Sequence, residues 1–149
     1  MSRQHVSSGT EWEERVGYSR AVRTGDRVVV FVVSGTTATD DAGDPVAVGD
    51  PYGQAKHALG MVDDALAEAG ASVDDVIRTR MYVTDADDWP AVGRAHREVF
   101  GEARPAATMV QVDGLIDPDL CVEIEAEAVI GPTREWPSRD VTAETLPQK

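Results

Sequence analysis

Apolar residues along the chain fall into two spacings, one of strands and one of helices. Val28 to Val33 is an unbroken, mostly β-branched run, the pattern of a strand buried on both faces, and Ser34-Gly35 closes it. Ile77 to Thr84, Thr108 to Val112 and Cys121 to Ile130 read as further strands. Val16 to Val22, ahead of the turn signal Thr24-Gly25-Asp26, reads as a first short strand. A loop from Thr39 to Pro45 leads into a short extended segment at Val46 to Val48. Asp50-Pro51 then opens a helix, with Asp as the cap and Pro in the first helical position. Ala55, Leu59, Val62, Leu66 and Ala69 recur every three or four residues as its inner face, and Gly70 stops it. A second helix runs from about Trp89 to Phe100, capped by Asp87 or Asp88 and ended by Gly101. Its inner stripe is Val92, His96, Val99 and Phe100. Residues 1–13 are a polar, loosely ordered lead-in, and residues 131–149 hold three prolines and no period, an extension that is surface-packed or disordered.

Two helices among several strands predict an α/β (α+β) domain with one sheet and both helices on one face. The last strand separates two faces most clearly. Val122, Ile124, Ala126, Ala128 and Ile130 alternate with Cys121, Glu123, Glu125 and Glu127. One set belongs under the helices, and the other presents three carboxylates. Arg78, Arg80 and Tyr82 share a face of the Ile77–Thr84 strand, so Arg and Glu pair across the two strands if these are neighbours.

Composition narrows the partners. The chain has 149 residues, enough for one domain, with 14 Lys and Arg against 27 Asp and Glu, a net charge of -13. That balance disfavours nucleic acid and anionic membranes. The single cysteine, Cys121, allows no intrachain disulfide. No apolar run spans a bilayer, and no apolar signal region follows the first residues, so a cytoplasmic protein is expected. Three scattered histidines, with no phosphate loop or dinucleotide fingerprint, lead to an expectation of no metal and no cofactor.

Several segments together resemble the reactive intermediate deaminase family, also called Rid or YjgF. They are Val16-Gly17-Tyr18-Ser19-Arg20-Ala21-Val22, Ser34-Gly35, the helix with Ala65 to Gly70, and Arg78-Thr79-Arg80-Met81-Tyr82-Val83-Thr84-Asp85. Arg104-Pro105-Ala106-Ala107-Thr108-Met109-Val110 and Val122-Glu123-Ile124-Glu125-Ala126 complete the set, in family order, over residues 14–130. The resemblance implies a chorismate-mutase-like fold and a homotrimeric barrel with helices outside and ligand clefts between subunits. It also implies hydrolysis of 2-imino acids, or their enamine tautomers, to 2-oxo acids and ammonia. Such chemistry needs an anchor for the substrate carboxylate, a positioned water and a group that manages protons.

Carried over residue by residue, the resemblance makes Glu123 the cleft carboxylate and Tyr18 a tyrosine that closes over ligand, with Ser34 and Gly35 at the ligand. The family's carboxylate-binding Arg falls on Ala107, its small polar or Cys position on Met109, and its helical Asn on Gly93. The nearest arginine is Arg104, which the following proline holds extended. Arg104 either binds the substrate carboxylate or is a surface residue, and Arg80 is a second anion binder or a structural partner of a last-strand glutamate. Trp12 and Glu14 are candidates for the cleft mouth. His96 reads as a hydrogen-bonded core histidine, His57 as exposed, and Cys121, on the charged face without an activating cation, as no nucleophile. The expected function is imine or enamine hydrolysis on an altered substrate. The alternatives are a metabolite-binding trimer without turnover, or a tautomerase or cyclase on the same fold. Ribonuclease activity, ascribed to some members, is disfavoured by the acidic charge and by the lack of a histidine pair.

Overall fold

The computed structural model describes residues 3–16, 18–24 and 28–131. Six strands, β1 (Arg3–Val6), β2 (Ala21–Thr24), β3 (Val29–Thr37), β4 (Val76–Val83), β5 (Ala106–Gln111) and β6 (Val122–Ile130), form one sheet in the order β1-β2-β3-β6-β4-β5. Every pairing is antiparallel except β4 with β5, which α3 (Trp89–Phe100) connects as a crossover. Helices α2 (Pro51–Ala69) and α3 cover one face, and a short helix α1 (Glu11–Val16) precedes β2. Fold class and single sheet are as expected. No helix of the described residues is long and apolar enough to cross a membrane.

The long helix follows its sequence signals closely. Asp50 Oδ1 accepts from the Gly53 amide at 2.9 Å, Pro51 begins α2, and Gly70 ends it at φ 94°. Leu59, Val62 and Leu66 of α2 are fully buried against Phe31 and Val33 of β3 and Val122 and Ile124 of β6. Val92 and Phe100 of α3 complete that core, and each large apolar side chain so buried contributes roughly 1.5–3 kcal/mol.

Other expectations are corrected. The lead-in is ordered where it is described: Arg3–Val6 pairs with β2, placing Val6 in the core. The strand expected from Val16 to Val22 begins at Ala21, as β2, because Glu11–Val16 is helical. Val46 to Val48 forms no strand; the loop closes instead through a bridge between Thr39 and Pro45. The Val28–Val33 run is not buried twice over. Val29, Phe31 and Val33 face the core, while Val28 and Val32 are 49% and 47% exposed on the open face of the sheet. Ser34-Gly35 does not end β3. Val33 pairs with Ala126 and Thr36 with Ile124, so three steps on β3 match two on β6, a bulge, and pairing resumes to Thr37. Apart from Gly131, the predicted extension lies outside the described residues.

One buried amide ties the helical layer to the loops. Gln54, wholly buried on α2, donates through Nε2 to the carbonyls of Val46 (3.1 Å) and Asp119 (2.8 Å). Its Oε1 accepts from the Cys121 amide at 2.8 Å and from Cys121 Sγ at 3.1 Å. Cys121 thus precedes β6 and turns to α2 rather than joining the charged face; burial pushes its thiol above the usual range. Gln54→Leu strips partners from two carbonyls and an amide and should cost about 3 kcal/mol, read from urea unfolding. A loss under about 0.5 kcal/mol would show that water replaces the network.

Candidate functional site

The open face of the sheet is built by the alternation along β6. Val122, Ile124, Ala126 and Ala128 are buried under the helices, and Glu123, Glu125 and Glu127 stand half-buried on the opposite face. Register places Tyr82 opposite Glu123, Arg80 opposite Glu125 and Arg78 opposite Glu127. Arg80 Nη1 sits 3.4 Å from Glu125 Oε1 and 3.5 Å from Glu127 Oε1. Tyr82 donates its hydroxyl to Glu125 Oε1 at 2.6 Å, and that bond, with burial, raises its pKa. Arg80 is thus paired with two last-strand glutamates.

Glu123 differs from its two neighbours. Among the described residues its carboxylate has no hydrogen bond and no ion pair. Burial pushes its pKa above the usual carboxylate range, and the charge of Glu125 pushes the same way. It lies over the β3 bulge: a Cβ on Gly35 would overlap its Oε1 and lie 3.0 Å from its Cδ. Gly35 is thus required for close approach, not for an unusual φ. Thr37, across from Glu123 in register, was not anticipated; the pairing of β3 past the bulge is what brings it there.

The bulge is held from the other side by the segment before β2. Ser34 donates its hydroxyl to the Ser19 carbonyl at 2.6 Å and its amide to the Arg20 carbonyl at 2.9 Å. Arg20 Nη1 reaches Thr36 Oγ1 at 3.3 Å. Tyr18, 38% exposed, stands next to Ser19, so the chain brings Tyr18, Ser34, Gly35 and Glu123 into one neighbourhood. Upstream, Glu13 accepts from Ser7 and from the amide and hydroxyl of Ser8. Burial opposes its ionisation, yet those bonds prevail and hold its carboxyl below the usual range. Glu14 is exposed on the same helix.

The second group of candidates lies elsewhere. Ala107 and Met109 are on the edge strand β5, two strands from β6, about 10 Å away. Ala107 pairs with Thr79 and Met109 with Met81, both residues of the helix-covered face, so position 107 points away from the Glu123 face. Met109 is half-buried against the core. Arg104 precedes β5 at the Glu127 end of the sheet. From Tyr82, opposite Glu123, to Arg78, opposite Ala106, is four residues, about 13 Å along β4. Arg104 is also not extended. Its φ is 49°, and its amide donates to the Phe100 carbonyl at 2.8 Å, so Arg104 rather than Gly101 takes the left-handed position after α3. Gly93 is half-buried on α3.

The histidines behave as read. Nε2 of the partly buried His96 is 2.8 Å from Thr79 Oγ1, and burial lowers its pKa. His57 is exposed and touches the Thr39 carbonyl. No group of three His, Cys, Asp or Glu able to hold a metal occurs among the described residues.

A profile of the family described as Endoribonuclease L-PSP matches residues 9–130. The chain belongs to the YjgF/Rid family. A YjgF-family protein of Mycobacterium tuberculosis, solved as a crystal structure, is 49% identical, with a TM-score of 0.76 over 87% of this chain and 100% of that one. An uncharacterized protein of Streptomyces coelicolor is 46% identical over 129 residues, 86% of this chain and 92% of its own length. The 3-aminoacrylate deaminase RutC of Acinetobacter baylyi is 38% identical over 99 residues, 66% of this chain and 78% of that protein. Within this YjgF/Rid chain, the resemblance-derived positions divide into a Glu123 group on the open face and an Ala107 group on the helix-side edge.

Glu123 also makes a stability prediction. A carboxyl whose folded pKa exceeds its unfolded one binds a proton that unfolding releases, so its contribution falls as pH rises between the two values. Glu123→Gln should therefore raise the unfolding midpoint near pH 7. That gain should disappear as pH falls below the ordinary glutamate range, where wild type is protonated in both states. Urea unfolding across a pH series reads this directly, and a variant less stable than wild type at pH 7 contradicts the upward shift.

Proposed function

We propose that this chain is an imine or enamine hydrolase that converts a reactive nitrogen compound to a carbonyl compound and ammonia. The observation that carries the reading is Glu123: a half-buried carboxyl with raised pKa and no partner among the described residues, seated on the Gly35 bulge. Such a group suits a role in proton transfer. Glu123 takes a proton from the water that adds to the imine carbon. It passes that proton to nitrogen, giving a carbinolamine, and then moves the carbinolamine hydroxyl proton to nitrogen as the carbon–nitrogen bond breaks, leaving the carbonyl and ammonia. Tyr18 closes over the ligand, and Ser34 and Gly35 line it. The name of the Acinetobacter relative, a 3-aminoacrylate deaminase, supports an enamine or imine substrate.

The substrate differs from that of members with an arginine at position 107. Ala107 offers no charge, so the substrate either lacks a carboxylate or meets another cation. Because position 107 and Glu123 point to opposite faces of one sheet, we take the cleft to form between subunits of a homotrimer. Val28 and Val32, exposed on the open face, support packing of that face against other copies. Cytoplasmic residence belongs to the same reading.

The test is competition for imines. An amino-acid oxidase generates 2-imino acids, semicarbazide traps them, and catalytic amounts of this protein should suppress the semicarbazone. Glu123→Gln should lower that activity about 10²–10⁴-fold. Ala107→Arg should raise turnover of simple 2-imino acids about tenfold or more, since a guanidinium holds a carboxylate through two charged hydrogen bonds. No suppression by wild type across imino acids and uncharged imines, in a folded trimer, would overturn the hydrolase reading. Tight ligand binding without turnover would then favour a binding protein.

A further inference from the structure

We infer that Glu13 is a positioning residue for Tyr18, tying the segment before β2 to the segment after β1. The inference rests on the reading of Tyr18 as the residue that closes over the ligand of an imine hydrolase. Glu13 acts through the Tyr18 backbone and not on substrate.

Glu13 is the only charged side chain buried among the described residues, at 8% exposed. Glu11 and Glu14, on the same six-residue helix α1, are exposed. Burying a carboxylate is costly unless its oxygens are bonded, and an apolar residue would pack a short helix without that cost. Three bonds offset it here. The Ser7 hydroxyl donates to Oε2, and the Ser8 amide and hydroxyl donate to Oε1 at 2.8 Å and 2.7 Å. The Arg20 charge favours the ionised form as well. The carboxylate therefore contributes the geometry of what it binds rather than apolar packing.

That geometry displaces a helix cap. Thr10-Glu11-Trp12-Glu13 has the spacing of a capping box, in which the Thr10 hydroxyl would bond the Glu13 amide and the Glu13 side chain would turn back to the Thr10 amide. Instead the carboxylate reaches further back, to Ser7 and Ser8, and the Glu13 amide meets the Thr10 carbonyl at 3.3 Å. Thr10 Oγ1 is left buried without a hydrogen-bond partner among the described residues. Local capping of α1 is given up for a tie to the chain that leaves β1.

Tyr18 is what the tie holds. Its amide donates to the Glu13 carbonyl at 3.2 Å, so the side chain of Glu13 grips one segment and its backbone the other. The two residues after Tyr18 are fixed on the β3 bulge, through the Ser34 hydroxyl on the Ser19 carbonyl and the Ser34 amide on the Arg20 carbonyl. Tyr18 is thus held by Glu13 on one side and Ser34 on the other. Its hydroxyl has no hydrogen bond among the described residues, so the backbone on either side sets where the ring stands.

The experiment follows amide hydrogen exchange in the full-length protein by NMR. Glu13→Ala should speed exchange at Tyr18 about tenfold, the loss of about one net hydrogen bond, while the amide of Ile124 in β6 keeps its rate. Glu13→Gln retains an acceptor for the Ser8 amide and should fall between, and it serves if the alanine variant fails to fold. The kinetic arm is the imine competition with the imine supply varied. Glu13→Ala should raise KM about tenfold and change kcat less than about twofold. It should have no further effect in a Tyr18→Ala background, where losses from an independent structural role would add. A wild type inactive on every imine overturns the hydrolase reading, and the exchange arm still decides whether Glu13 holds Tyr18. The inference is overturned if Tyr18 exchange is unchanged in the alanine variant, if Ile124 speeds up equally, or if the losses from Glu13→Ala and Tyr18→Ala add.

Discussion

The two-sidedness of β6 is the constraint on which the rest of the molecule depends. It is a central strand, bonded to β3 on one side and β4 on the other, so its register sets how these three strands meet. Its even-numbered residues must stay under the helices, because a shift by one position would drive Glu123, Glu125 and Glu127 into an apolar core. That requirement fixes what Tyr82 and Arg80 face, and where Glu123 stands against β3.

From this register the charges on the open face sort themselves. Glu125 and Glu127 share Arg80, and Glu125 also takes the Tyr82 hydroxyl. These bonds satisfy two of the three carboxylates. The third is set against a bulge whose glycine leaves room for its oxygen. The extra residue in β3 thus sets the one acid of this face that has no partner among the described residues against Gly35. The same bulge anchors the segment that carries Tyr18, through Ser34 and the carbonyls of Ser19 and Arg20.

Much of this was legible in the chain, for identifiable reasons. Asp50-Pro51 and Gly70 are strong local signals whose meaning needs no tertiary context, and α2 follows them. Strict alternation from Val122 to Ala128 identified both faces of β6, and with them the Arg80 pairing. Elsewhere the deciding interaction was distant. Arg-Gln-His-Val at residues 3–6 carries one core residue, Val6, and becomes a strand only by pairing with β2. Ser34-Gly35 reads locally as a stop, but pairing of Thr36 and Thr37 with β6 carries the strand through it. A β-branched run such as Val28 to Val33 suits a pleated strand whether one face or two are covered, so its composition did not separate these cases. Arg104 reversed expectation because closing α3 on the Phe100 carbonyl outweighed the preference of a residue before proline. Cys121 left the charged face for a similar reason, since Gln54 binds both its amide and its thiol.

The central claim is that Glu123, without a partner among the described residues, is a carboxyl whose pKa is raised by burial and that exchanges a proton in the reaction. The most direct measurement is a ¹³C NMR titration of glutamate side-chain carboxyls in the intact protein, with Glu123→Gln to assign the resonance. The account predicts that Glu123 titrates above the ordinary glutamate range. A Glu123 that titrates at or below the ordinary range would mean that the carboxyl is solvated or paired, and would contradict the account.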